Sequence, residues 1–216
     1  MFIEDFLFRQ KKVYAQNVLT FSTMALKQGL HTARIVDRKP CMEKRMVFMN
    51  KKIFILNGMP HSGKDTFVNI LKTFASVQKI SWVDPALDVI KKSGIDISEK
   101  TAADRVLISD IMDSLERYDS RCFKYVVAKA AEFMHDEKTE ALFIDIRAKC
   151  NRCKTGIALN AQSILIVPEH DFVVKSPCHD DSPDNFHADD HDYIIRNPGT
   201  IPAFKEVINE FWNSVK

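Results

Sequence analysis

Residues 58–66 read Gly58-Met59-Pro60-His61-Ser62-Gly63-Lys64-Asp65-Thr66, and the apolar run Ile53-Phe54-Ile55-Leu56 stands just before them. A short apolar run bounded by turn residues reads as a buried parallel strand. Gly58 and Gly63 allow backbone conformations closed to other residues, so successive N–H groups can turn inward on a polyphosphate while Lys64 adds a compact positive charge. Downstream, Phe67-Val68, Ile70-Leu71 and Phe74-Ala75 carry helical apolar spacing, whose N-terminal dipole favours anions. Strand, loop and helix therefore follow in the order that a phosphate-binding loop requires. The residues expected to cradle the phosphates are Gly58, Pro60, His61, Ser62, Gly63, Lys64, Asp65 and Thr66. Asp65 departs from the strict pattern, which has Ser or Thr after the lysine. A bound Mg²⁺ would then be met by the Thr66 hydroxyl, or by Asp65 acting through a water.

Composition bounds the remainder. The chain has 216 residues, 45% of them hydrophobic, and no apolar run approaching the roughly 18 residues that span a bilayer. Up to Lys52 it carries 11 basic and 4 acidic residues; beyond that point it carries 20 and 25. The net charge is thus +7 before the cut and −5 after it, which separates a basic leader from an acidic body. Residues 1–48 are read as a dispensable leader, because Met49-Asn50-Lys51-Lys52 looks like a natural start, and residues 49–216 as one α/β domain. The leader shows no nucleic-acid recognition motif, so small molecules rather than nucleic acid are the expected partners. Glu4 and Asp5 interrupt the first apolar stretch and the five cysteines are odd in number, which together favour a reducing cytoplasm. Cys150-x2-Cys153 lacks a second half at zinc-finger spacing and reads as free thiols.

Apolar patterning predicts strands at 53–56, 79–83, 141–147, 163–167 and 192–197. Helices are predicted from 64, over 85–93, 101–117 and 123–133, and over 202–215. Thr101 and Asp104 resemble a capping box, and Pro85 suits a first helical turn. Residues 149–154 read only as a basic segment, and 169–191 as a polar, charged loop. Strands alternating with helices imply a parallel sheet covered on both faces, with its site at the carboxyl ends of the strands.

These segments resemble a known family. Gly58-x-Pro60-x2-Gly63-Lys64-x-Thr66 is similar to the adenylate-kinase form of the phosphate loop, and Ser62-Gly63-Lys64-Asp65-Thr66 is similar to the variant in phage-type deoxynucleoside monophosphate kinases. In the same order follow Ser81-Trp82-Val83-Asp84, Asp104-Arg105-x-Leu107-x-Ser109-Asp110, Phe143-Ile144-Asp145-Ile146-Arg147 and Asp192-Tyr193-Ile194-Ile195-x-Asn197-x-Gly199-Thr200. The resemblance covers about residues 51–216. It implies a P-loop NTPase fold of five parallel strands, a helical acceptor-binding insertion and a short lid. It also implies transfer of the ATP γ-phosphoryl, with Mg²⁺, to a nucleoside or deoxynucleoside monophosphate. Two features depart from it: Ala148-Lys149-Cys150-Asn151-Arg152 replaces an acidic, proline-containing continuation, and residues 175–191 hold no arginine, leaving Lys175 as a substitute.

Beyond the loop, each candidate residue has a competing reading. Lys64 is expected to follow the transferred phosphate, from a surface-facing position. Asp145 either holds Mg²⁺ or its water shell, or caps a helix. Arg147, two residues on and so on the same strand face, either clamps an acceptor phosphate or pairs with Asp145. Arg105 is placed at the acceptor site by the resemblance, against an ordinary surface arginine. Asp84 lies near an acceptor base or sugar, or caps the next helix. The histidine- and aspartate-rich stretch 179–192 reads as a lid rather than a metal site.

Overall fold

The computed structural model describes residues 51–97, 99, 101–169 and 186–216. The leader expected at 1–48, Lys175 and most of the expected lid lie outside these residues. Five strands form one sheet: β1 (Lys52–Asn57), β2 (Val77–Ser81), β3 (Ala141–Asp145), β4 (Gln162–Pro168) and β5 (Tyr193–Asn197). Their order is β2-β3-β1-β4-β5, and every pairing is parallel. The helices are α1 (Lys64–Leu71), α2 (Asp84–Lys92), α3 (Ala102–Asp119), α4 (Arg121–His135), α5 (Lys149–Leu159) and α6 (Ile201–Val215), with a short 3-10 turn at Ala188–Asp190. This is an α/β domain, a five-stranded parallel sheet flanked by helices.

Period-two alternation explains why the central strands read as continuous apolar runs. On β1, Phe54 and Leu56 enter one core with Phe67, Leu71, Phe143, Phe204, Ile208 and Phe211, under α1 and α6. Ile55 enters the other with Ile80, Trp82, Val126, Phe133 and Ile144, under α2, α3 and α4. A strand covered on both faces has no polar side to display. Phe54, Phe143, Phe67 and Phe211 meet in stacked and edge-on pairs at 5.2–5.8 Å between ring centroids, the offset geometries that aromatic quadrupoles favour.

Three helices, α2 to α4, fill the connection between β2 and β3. The capping box at the head of α3 is complete: Asp104 N donates to Thr101 Oγ1 at 3.3 Å and Thr101 N to Asp104 Oδ2 at 2.7 Å. The elements differ from expectation at three places: β2 is Val77–Ser81 rather than 79–83, β3 stops at Asp145 so that Arg147 lies beyond the strand, and one helix was not expected. The segment read as merely basic is helix α5, and its two buried residues, Arg152 and Thr155, are polar. With no apolar stripe, its periodicity is invisible to a hydrophobic pattern.

Because β1 has β3 on one side and β4 on the other, the sheet reverses its winding there. Such a switch point leaves a crevice beyond the carboxyl ends of the strands. Asn57, Ser81 and Asp145 end β1, β2 and β3 at that edge.

Candidate functional site

The loop from Gly58 to Gly63 leaves β1 at this edge and runs into α1. Gly58 and Gly63 have φ of +148° and +98°, so both occupy backbone conformations that disfavour side chains. Crowding adds a second reason: a Cβ on Gly63 would stand 2.5 Å from Asn197 Nδ2, and one on Gly58 would stand 2.6 Å from Ile166 O. His61 takes φ +64° without being glycine, a costly conformation concentrated at ligand-binding loops. Pro60 and Ser62 are buried, Gly63 and Thr66 half-buried, and His61 and Asp65 exposed. Two asparagines tie the loop down. Asn57 Oδ1 accepts from Gly58 N at 2.7 Å, and Asn197 Nδ2, from the end of β5, donates to Ser62 O at 3.0 Å. Asn197 also accepts from Gly199 N at 3.0 Å.

Lys64 corrects the sequence reading. It is buried, 6% exposed, and its Nζ donates to Gly58 O at 2.6 Å and to Met59 O at 3.0 Å. Burial pushes its pKa down to about 8, Asp145 raising it and Arg147 and Lys79 lowering it. The reason is local. As the first residue of α1, Lys64 has its stem beneath the loop, and the loop's own carbonyls take its charge.

Next to the loop a cavity of about 300 Å³ brings together Asp65, Asp84, Arg105, Asp145 and Arg147. Five sequence candidates from separate elements thus share one space. Its apolar wall is made by Trp82, Val83, Leu87, Ile108 and Met112. Asp145 is held at the end of β3 between Leu56 of β1 and Ser81 of β2. Its side chain is 15% exposed, and its Oδ1 is buried with no hydrogen-bond partner among the described residues. Asp145 caps no helix, since α5 begins after Ala148 without a side-chain cap.

Arg105 projects from the first turn of α3. Among the described residues its guanidinium has no ion-pair or hydrogen-bond partner. Asp84, by contrast, is engaged: its Oδ2 accepts from Ser81 N at 2.8 Å and from Tyr125 Oη at 3.0 Å. It closes the turn after β2 rather than capping α2, whose N-cap is Val83. Burial and the Asp84 charge push the Tyr125 phenol up to about 12, so it remains a donor.

Lys79 was not singled out by sequence, and Asp190 and His191 were read only as part of the histidine- and aspartate-rich stretch. Lys79 of β2 lines the cavity, pairs with Asp65 Oδ1 and lies 3.4 Å from Asp145 Oδ2. A lysine two residues before the carboxyl end of a strand, on the same face as that end, was the available signal. Asp190, just before β5, meets Lys149 at 2.7 Å and Arg152 at 3.6 Å, fastening α5 to the end of the 186–192 segment. His191 Nε2 lies 3.2 Å from Asn57 Nδ2. Among the described residues no group of three or more His, Cys, Asp or Glu is arranged around a metal, and Cys150 and Cys153 are exposed free thiols. No helix among them is long and apolar enough to cross a membrane.

No family model and no curated protein matches the chain. Solved structures similar to it include TT1252 from Thermus thermophilus, at 11% identity and a TM-score of 0.49 over 77% of this chain and 99% of that one. The dephospho-CoA kinase from Campylobacter jejuni has 16% identity and a TM-score of 0.42, over 77% of this chain and 98% of that one. Shikimate kinase from Aquifex aeolicus vf5 has 16% identity and a TM-score of 0.41, over 76% and 95%. At these values nothing about chemistry is carried across.

Proposed function

We propose that the protein is an ATP- and Mg²⁺-dependent kinase that phosphorylates a nucleoside or deoxynucleoside monophosphate. The observation that carries this reading is the guanidinium of Arg105, which has no partner among the described residues and lines the same cavity as Arg147 beside the glycine loop. A planar fork of donors matches a phosphate dianion with paired, charge-assisted hydrogen bonds. Two such residues next to a phosphate loop suit an acceptor that itself carries phosphate.

The residues present fit a magnesium ion. Asp145 offers a buried carboxylate oxygen with no hydrogen-bond partner among the described residues, and Thr66 and Asp65 add a hydroxyl and a carboxylate from the first turn of α1. Magnesium keeps most of its waters and needs few protein ligands, so Asp145, Thr66 and Asp65 suffice to hold it. Bound there, it would neutralise charge on the ATP phosphates.

The rest is positioning. Loop N–H groups and Lys64 hold the ATP phosphates, with Lys64 moving its donors from the Gly58 and Met59 carbonyls to phosphate oxygens. Arg105 and Arg147 hold the acceptor phosphate in line. An acceptor oxygen forms a bond to the γ-phosphorus as the bridging β–γ oxygen bond breaks, and ADP keeps that electron pair. The acceptor phosphate is already anionic, so no base is required. Incubation of the protein with Mg²⁺, ATP and a panel of monophosphates, with separation of the products, tests this reading: a diphosphate must form.

A second reading, a kinase for another phosphorylated small molecule, draws on Asp84. The carboxylate expected to meet a base or sugar is already occupied by Ser81 N and Tyr125 Oη. Non-nucleotide monophosphates in the same panel separate the two.

A further inference from the structure

Lys79 and Asp145 lie on one face of the sheet. Lys79 pairs in register with Phe143, which belongs to the core under α1, and Asp145 follows Phe143 by two residues. Asp65 reaches the same point from the first turn of α1. The Lys79 ammonium therefore joins the two carboxylates that are the candidates for holding a divalent cation.

A divalent ion held by Asp65 and Asp145 would stand beside the Lys79 ammonium, and two like charges at that spacing repel. A lysine in that position is a tethered monovalent ion, and its hold on Asp65 is weak because that side chain is 84% exposed. A divalent ion carrying phosphate ligands interacts more strongly with the same oxygens. The lysine stem is flexible, and the cavity that Lys79 lines also contains Arg105 and Arg147. A displaced ammonium thus has the cavity itself to turn into, the space assigned above to the acceptor phosphate.

We infer that Lys79 is an internal cation that competes with the divalent metal for Asp65 and Asp145, and that metal loading turns its ammonium toward the acceptor phosphate. The inference rests on the metal–nucleotide reading of the site. In the loaded state Lys79 adds a third positive side chain to the acceptor phosphate, offsetting repulsion between two polyanions. It also couples metal binding to acceptor binding, because a lysine released by one becomes available to the other.

The test compares wild type with Lys79→Gln and Lys79→Met, using Mn²⁺ as the probe ion and ADP as the nucleotide. Free Mn²⁺ is read by paramagnetic resonance, with no turnover involved. Competition predicts that both variants bind Mn²⁺ more tightly, by roughly 3- to 10-fold in Kd. A lysine that merely orients the two carboxylates predicts the opposite, since its loss would leave them misplaced. Equal or weaker Mn²⁺ binding in the variants would overturn the competition. In the kinetic arm, at saturating Mg²⁺, acceptor KM should rise and kcat fall while KM for ATP holds. Unchanged acceptor kinetics in variants that bind Mn²⁺ more tightly would overturn the release step. Wild-type protein that bound no Mn²⁺ with ADP would overturn both this inference and the reading beneath it. Thermal melts of each variant identify any that has failed to fold, and the two substitutions differ in size and polarity so that one can stand in for the other.

Discussion

Lys64 Nζ donates to the carbonyl oxygen of Gly58 at 2.6 Å, so the loop's principal cation is held by the loop itself. This contact ties the lysine to the loop, while burial of the ammonium gives Lys64 a pH-dependent cost. Its folded pKa of about 8 lies below the ordinary lysine value of 10.5. Below pH 8 the folded and unfolded chains both bind the proton, and the burial penalty, about 3 kcal/mol, is fully present. Between pH 8 and 10.5 the unfolded chain binds more protons, so this penalty is relieved as pH rises. Lys64→Met removes the term. The stability advantage of Lys64→Met over wild type should therefore be larger at pH 7 than at pH 10, as measured by denaturant titration at the two values. Phosphoryl transfer by the variant should be lost.

Gly63→Ala tests the crowding at the loop's end. The substitution combines φ +98° with a Cβ 2.5 Å from Asn197 Nδ2, and backbone strain of this kind costs about 1–3 kcal/mol. The clash also breaks the Asn197 to Ser62 hydrogen bond that anchors the loop. Nucleotide binding, followed by calorimetry, should fall more than the melting temperature. A variant that bound ATP normally would show that the loop tolerates a wider path.

Arg105→Ala should weaken acceptor use while leaving ATP affinity nearly unchanged. A charge-assisted phosphate contact is worth about 2–4 kcal/mol, which corresponds to roughly 30- to 800-fold in kcat/KM for the acceptor. Initial rates against acceptor and ATP in turn check this. Loss of ATP affinity with retained acceptor dependence would contradict the assignment.

Asp145→Asn should reduce activity at limiting Mg²⁺ far more than it reduces thermal stability. The lost oxygen charge serves a buried atom that has no hydrogen-bond partner among the described residues, and its neighbour Lys79 keeps a pairing with Asp65. Parallel activity and melting curves decide between a metal role and a structural one.

The sequence made the fold legible where apolar periodicity coincided with burial. Phe54-Ile55-Leu56 and Leu142-Phe143-Ile144 are buried on both faces and read at once as parallel strands. The loop was legible because its glycines serve backbone geometry; Asp145 and Arg147 were singled out as the charged end of a strand and Arg105 through the resemblance, and all three line one cavity. Helix α5 was not legible, since it buries Arg152 and Thr155 rather than apolar residues. Nor was the burial of Lys64 or the engagement of Asp84, because both depend on partners that only the folded chain supplies. For Asp84 the Tyr125 contact spans 41 residues.

The most direct measurement follows the γ-phosphoryl group itself. With [γ-³²P]ATP, Mg²⁺ and a panel of monophosphates, the protein should move label into a diphosphate of one acceptor, and Lys64→Met should abolish that transfer. Release of label as inorganic phosphate at one rate whatever acceptor is present, or nucleotide binding without any label leaving ATP, would contradict the account of this site as a monophosphate kinase.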